Sequence, residues 1–146
     1  MAGRQLEDYV MTYFNPDLSA LDRFNIISRL VCQDEVAVSL LEKLISSAEH
    51  YFSKVVEMET RVRLARLRID GEELRELTEV LDKNRTMAHE ALISDLHVFN
   101  RYLMKNYEDA PVGGIFSKDP DAIRNRVAVA DWAGELLAAI YQERRK

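Results

Sequence analysis

Three histidines, His50, His89 and His97, are the first residues in this chain whose types could do chemistry. An imidazole ligates transition metals and exchanges a proton near neutral pH. A di-metal helical bundle needs Glu-x-x-His on two helices and two further glutamates. The residues three before these histidines are Ser47, Thr86 and Ser94, so that pattern is missing and no metal is expected. Folding the chain back on itself at Gly71 would set Phe52 level with His89 and bring Glu49, His50, His89 and Glu90 within a turn or two of one another. A second set, His89, Asp95 and Arg101, offers a base, an acid and a fixed cation. If a small ligand binds, the expected place is between these three residues and the irregular segment that follows them.

The acidic run Glu72-Glu73-Leu74-Arg75-Glu76 looks like the E-E-x-x-E element of the all-α nucleotide pyrophosphohydrolases. Those enzymes hold Mg²⁺ between carboxylates of two helices. Here the next acids, Glu79 and Asp82, follow one turn later on the same predicted helix, where they read as acids favoured by the helix dipole. Arg61, Arg63, Arg66 and Arg68 flank an apolar seam on both sides, with Glu57 and Glu59 four residues before Arg61 and Arg63. They read as part of a solvated ion-pair network with Glu72, Glu73 and Glu76. Cys32 is the one cysteine, which excludes an intramolecular disulfide, and its apolar neighbours predict a buried structural thiol. Gly113-Gly114 has no neighbouring Lys-Ser, and no Walker, Rossmann, nucleophile-elbow or H-E-x-x-H motif occurs. No catalytic residue and no cofactor are assigned, and binding is expected in preference to catalysis.

The elements that position these residues are helices. Five Gly and three Pro in 146 residues are about half the usual share, too few for the turns of an all-β fold. The net charge of −5 argues against a nucleic-acid partner. No apolar run approaches the ~20 residues of a membrane span, and the N-terminus lacks a secretory apolar region, so a cytoplasmic protein with no membrane partner is expected. The whole chain, 1–146, reads as one all-α domain of about five helices: short N-terminal helices over 1–33, a long hairpin over 35–106, a loop over 107–119 and a C-terminal helix over 120–144. The first stretch runs from Gln5 to Phe14, and Asn15-Pro16 can open the second, which continues to Val31. Cys32-Gln33-Asp34 is a weak break with Asp34 as a candidate N-cap; a continuous, bent helix stays open. Asp119-Pro120 reads as cap and first position of the last helix, whose apolar face includes Trp132, Leu136 and Ile140.

The hairpin carries the strongest pattern. Ala37, Leu41, Leu44, Ala48, Tyr51, Val55, Met58, Val62, Ala65 and Ile69 alternate four and three apart, a heptad seam ~50 Å long. Asp70-Gly71 is the turn, and Leu74, Leu77, Leu81, Asn84, Ala88, Leu92, Leu96, Phe99 and Leu103 form the returning seam. Asn84 is its one polar member, either exposed or a buried register pin. The segment Y-E-D-A-P-V-G-G-I-F-S-K-D, residues 107–119, is either a packed connector or a lid. Tyr51, Phe52, Val55, Val56 and Met58 widen the apolar face of the outgoing helix, so this surface is expected to meet a second copy of the chain or another helical protein.

From Asp82 onward, D-K-N-R-T-M-A-H-E-A-L-I-S-D-L-H-V-F-N-R-Y-L followed by P-V-G-G-I-F resembles a family of small bacterial proteins of unknown function. The resemblance covers mainly residues 82–140. It implies an all-α fold, supplies no activity, and makes Asn84, Arg85, His89, Asp95, Asn100 and Arg101 the family's polar positions. The function expected from the sequence is helix-mediated association, structural or regulatory, most simply as a homodimer. The alternative is a small nucleotide-processing or ligand-binding enzyme that uses those polar residues.

Overall fold

A computed structural model describes residues 18–116 and 123–144. They form four helices, α1 (Ala20–Val31), α2 (Glu35–Ala65), α3 (Gly71–Asn106) and α4 (Arg126–Arg144), with no strand among the described residues. The fold is an all-α bundle. Four helices lie among the described residues, and the Gln5–Phe14 stretch, expected as a further helix, lies outside them. The Tyr51 ring lies tilted beside that of His89, Ser47 bonds to Asp95 and Tyr102 to Asp34, so α2 and α3 run antiparallel in the register expected from the turn at Gly71. Gly71 itself sits at φ +56°, a left-handed conformation that a side chain would strain. α4 packs on α2 and α1.

One cluster of buried side chains draws on all four helices, with Ile27, Leu44, Leu92, Leu96, Phe99 and Leu136 fully inaccessible. The heptad seam is buried on α2 only as far as Tyr51. From Val55, which still meets the start of α4, to Ile69 its members stay half-buried, because beyond Val55 only α2 and α3 cover each other among the described residues. Among the described residues the tip of the hairpin is therefore a two-helix arm.

Several boundaries differ from the sequence expectation. α1 starts behind Ser19, whose Oγ accepts from the Asp22 N–H; Asn15 and Pro16 lie outside the described residues. α2 ends at Ala65, short of Ile69, as Leu67 and Arg68 switch to i→i−3 bonds that tighten the last turn. α4 starts at Arg126, where Asn125 supplies the cap, accepting from the N–H groups of Val127 and Ala128; Asp119 and Pro120, expected to open this helix, lie outside the described residues. Cys32 is exposed, against the expected burial: it sits at the C-cap of α1, where the chain has already turned toward solvent. At the tip, Arg61 pairs with Glu57 and Arg75 with Glu72, each within one helix, so the expected network across the hairpin does not form there.

Asp34 separates α1 from α2. Its carboxylate caps α2 through the N–H groups of Val36 and Ala37, and accepts the hydroxyls of Tyr102 at 2.8 Å and Tyr107 at 2.6 Å. These bonds, Tyr107 first, hold the Asp34 pKa below its usual value, while the same anion pushes Tyr107 up to about 12. Folded Asp34 thus releases its proton more readily than unfolded Asp34. Its contribution is complete above the ordinary aspartate pKa of ~3.9 and is lost as pH falls through the lower folded value. For Tyr107 the sign is opposite: stability is complete below the ordinary tyrosine pKa of ~10 and is lost as pH rises through the folded value. Asp34→Asn is expected to lower the denaturation midpoint at neutral pH. The gap to the unsubstituted protein should close as pH falls below the ordinary aspartate pKa; a gap constant with pH would show that the carboxylate charge contributes nothing.

Candidate functional site

His89, Asp95 and Arg101 lie six residues apart in turn, and six residues rotate a helix by about 240°, so they point to three sides of α3. Asp95 faces α2, where it accepts the Ser47 hydroxyl and pairs with Lys43 at 3.5 Å. Arg101 is exposed. His89 is 5% exposed and its ring stands 5.3 Å from that of Tyr51. The structure does not bring the three together. His50 and His97 are exposed, and no group of three or more possible metal-ligating side chains forms among the described residues.

The loop beyond α3 is tied down as far as Phe116. The buried Arg23 guanidinium on α1 donates through one nitrogen to the carbonyls of Val112, at 2.8 Å, and Gly114, at 2.7 Å. Asn100 on α3 accepts the Ile115 N–H at 3.1 Å, and the Trp132 indole on α4 donates to the Ile115 carbonyl at 3.0 Å. Phe116 meets Trp132 edge-on. Three helices thus converge on P-V-G-G-I-F, and burial holds the Arg23 pKa below its usual value. Arg23 was not singled out by sequence reasoning. The available signal was a charge at a core position: Ala20, Arg23 and Ile27 are spaced three and four apart and all are buried.

What surrounds His89 is a cavity of about 220 Å³ between α2, α3 and the start of α4. Tyr51, Val55 and Ala130 form apolar walls, while Arg85, Thr86 and Arg126 supply polar groups. The His89 Nε2 atom is buried without a hydrogen-bond partner among the described residues. Such an atom costs about 1–3 kcal/mol if nothing fills its bonding capacity. Burial and the charges of Arg126 and Arg85 hold its pKa below the usual value, with Glu90 opposing, so the ring is neutral at pH 7. Arg85 pairs with Asp82, one turn back. Arg126 forms no ion pair among the described residues and adds its charge to the positive end of α4.

The model of the family described as "Protein of unknown function (DUF3232)" matches residues 3–146. The chain belongs to that family. The match extends the resemblance seen over residues 82–140 to nearly the whole chain. No curated protein matches it. In this DUF3232 protein the α2 residues expected at an interface divide between environments. Tyr51 is 5% exposed and lies inside the chain, and Val55 and Met58 are half-buried. Phe52 and Val56 line a groove against Gly134, Leu137 and Tyr141 of α4. No helix among the described residues is long and apolar enough to cross a membrane.

A different apolar surface lies on the solvent side of α3. Val80, Asn84, Met87, Ala91, Ser94 and Val98 are all exposed, and they alternate four and three residues apart. Val80 is 58%, Met87 60% and Val98 45% exposed. No charge interrupts this stripe, which is ~27 Å long. Asn84 belongs to it and not to the inner seam, and the structure shows it exposed.

Proposed function

We propose that this protein is a helix-mediated association module that pairs with a second copy of itself through the outer face of α3. The observation that carries the reading is the charge-free heptad stripe from Val80 to Val98, exposed along its whole length. The spacing suits a partner helix, since residues repeating every 3.5 positions stay on one seam. The stripe is also complementary to its own reverse. Turned end over end about its centre, Val80 meets Val98 of the second copy, Asn84 meets Ser94, and Met87 meets Ala91. Apolar thus faces apolar, polar faces polar, and the largest side chain faces the smallest. That is the requirement of a two-fold, isologous contact, and the Asn–Ser pair fixes its register. One helix pair of this length makes a small interface, of the transient class below about 1,200 Å².

The carboxylates Glu72, Glu73, Glu76, Glu79 and Asp82 all lie on α3, so no two-helix Mg²⁺ site of the pyrophosphohydrolase kind is assembled from them. Sedimentation over a wide concentration range tests the association. The mass is expected to rise from 16.9 kDa toward twice that value. Met87→Glu or Ala91→Glu, each placing a charge at the centre of a solvent-facing stripe, should hold it at the monomer value with helicity unchanged. A monomer at all concentrations sinks the reading. A dimer indifferent to both substitutions moves the contact to another face, such as the Phe52–Val56 groove.

A further inference from the structure

We propose that the cavity beside His89 is a binding site for a phosphate group, free or carried at the end of a small phosphorylated molecule. The groups that converge there are donors: the guanidinium groups of Arg126 and of Arg85, which also pairs with Asp82, and the Thr86 hydroxyl, beside the His89 imidazole. The deciding feature is that two guanidinium groups from different helices line one cavity and both act on His89, so an anion between them relieves the repulsion. The His89 Nε2 atom is itself shut off from the cavity and gains a partner there only when the ring turns. Arg126 stands in the first turn of a 19-residue helix, so peptide dipoles add to its charge at the same place. Size sets the class of ligand. At about 220 Å³ the cavity falls below the ~300–1,000 Å³ usual for whole drug-sized ligands, so it encloses an anionic group and leaves any remainder of the molecule outside. A tetrahedral oxyanion uses donors from several directions, as α3 and α4 supply here, where a planar carboxylate would use fewer. The site lies about 180° around α3 from the Val80–Val98 stripe, so pairing of two copies leaves it open.

The charged and titratable groups acting on His89 are Arg85 and Glu90 from α3, Arg126 from α4 and Tyr51 from α2. A bound dianion should shift the balance toward the imidazolium. The test is NMR observation of the His89 imidazole in the full chain during titration with inorganic phosphate, against chloride at equal ionic strength. A saturating shift of the ring resonances is expected, with the His89 pKa moved upward by phosphate and not by chloride. Arg126→Gln, at an exposed position that does not threaten folding, should weaken phosphate binding about tenfold, the effect of one lost charge-assisted contact; Arg85→Gln should do the same. Methyl phosphate distinguishes the two sources. Tighter binding than inorganic phosphate identifies a phosphorylated small molecule as the ligand, and equal or weaker binding identifies the free ion. No saturating shift with either probe, or binding undiminished in Arg126→Gln, overturns the proposal. Neither outcome touches the mass measurement that tests self-association.

Discussion

Gly114→Ala is expected to destabilise the protein by about 3 kcal/mol and to lower Tm by about 10 °C, from the strain of a left-handed alanine together with lost hydrogen bonds. Gly114 has φ +73°, and a Cβ built there falls on Asn100 Oδ1 and 2.7 Å from Cγ of the same side chain. Asn100 cannot swing aside freely, because Oδ1 accepts the Ile115 N–H and Nδ2 reaches the Gly113 carbonyl at 3.4 Å. Two costs therefore combine, backbone strain and the release of Ile115. Far-UV circular dichroism gives the midpoint, and Trp132, the only tryptophan, reports on the loop because its indole bonds to Ile115. Asn100→Ala removes the clash along with the bonds, so the double substitution should cost less than the sum of the two singles. A Tm within about 2 °C of the parent would mean that the loop is not held as described.

The long hairpin was legible because its signal is redundant. Nine of the ten apolar residues at four-three spacing lie on α2, a matching set lies on α3, and one short turn, residues 66–70, separates the two halves of the seam. Legibility failed where one residue can serve two purposes. Asn84 fits the inner seam three residues after Leu81, and fits the outer stripe three residues before Met87 equally well. Spacing cannot choose between adjoining stripes on one helix; packing by α2 does. The start of α4 was missed for a similar reason, since Asn125 is as competent a cap as Asp119 and it is Asn125 that accepts from Val127 and Ala128. Cys32 was read from apolar neighbours in sequence, but Val31 is buried and Cys32 exposed because the helix ends between them.

Of the candidate pocket, the sequence offers His89 and Arg85 as polar positions and Tyr51 and Val55 as apolar ones, without joining them. It groups His89 with Asp95 and Arg101, which a rotation of about 240° per six residues sends to other sides of α3. Arg85 and Thr86 are its true neighbours, within one turn. Arg126 is 37 positions away and reaches His89 only because α4 begins where α2 and α3 run past it. That convergence depends on the loop path, which the sequence left open between connector and lid. The loop path depends in turn on Arg23.

Arg23→Met is expected to cost about 3 kcal/mol, because the Val112 and Gly114 carbonyls lose their charged donor while the apolar stem of the side chain is kept. The loss should appear as a lower denaturant midpoint with an unchanged slope if the rest of the bundle stays folded. Arg23→Lys separates charge from shape. A single nitrogen serves both carbonyls, so an ammonium with three donors could in principle replace it. The lysine stem is one atom shorter and reaches the pair only if the loop moves toward α1. Partial recovery, to about half the loss in methionine, is therefore expected, with a shifted Trp132 emission as Ile115 follows the loop. Full recovery by lysine would show that the loop tolerates displacement. No recovery would show that Gly114, pinned against Asn100, fixes the distance the guanidinium must span.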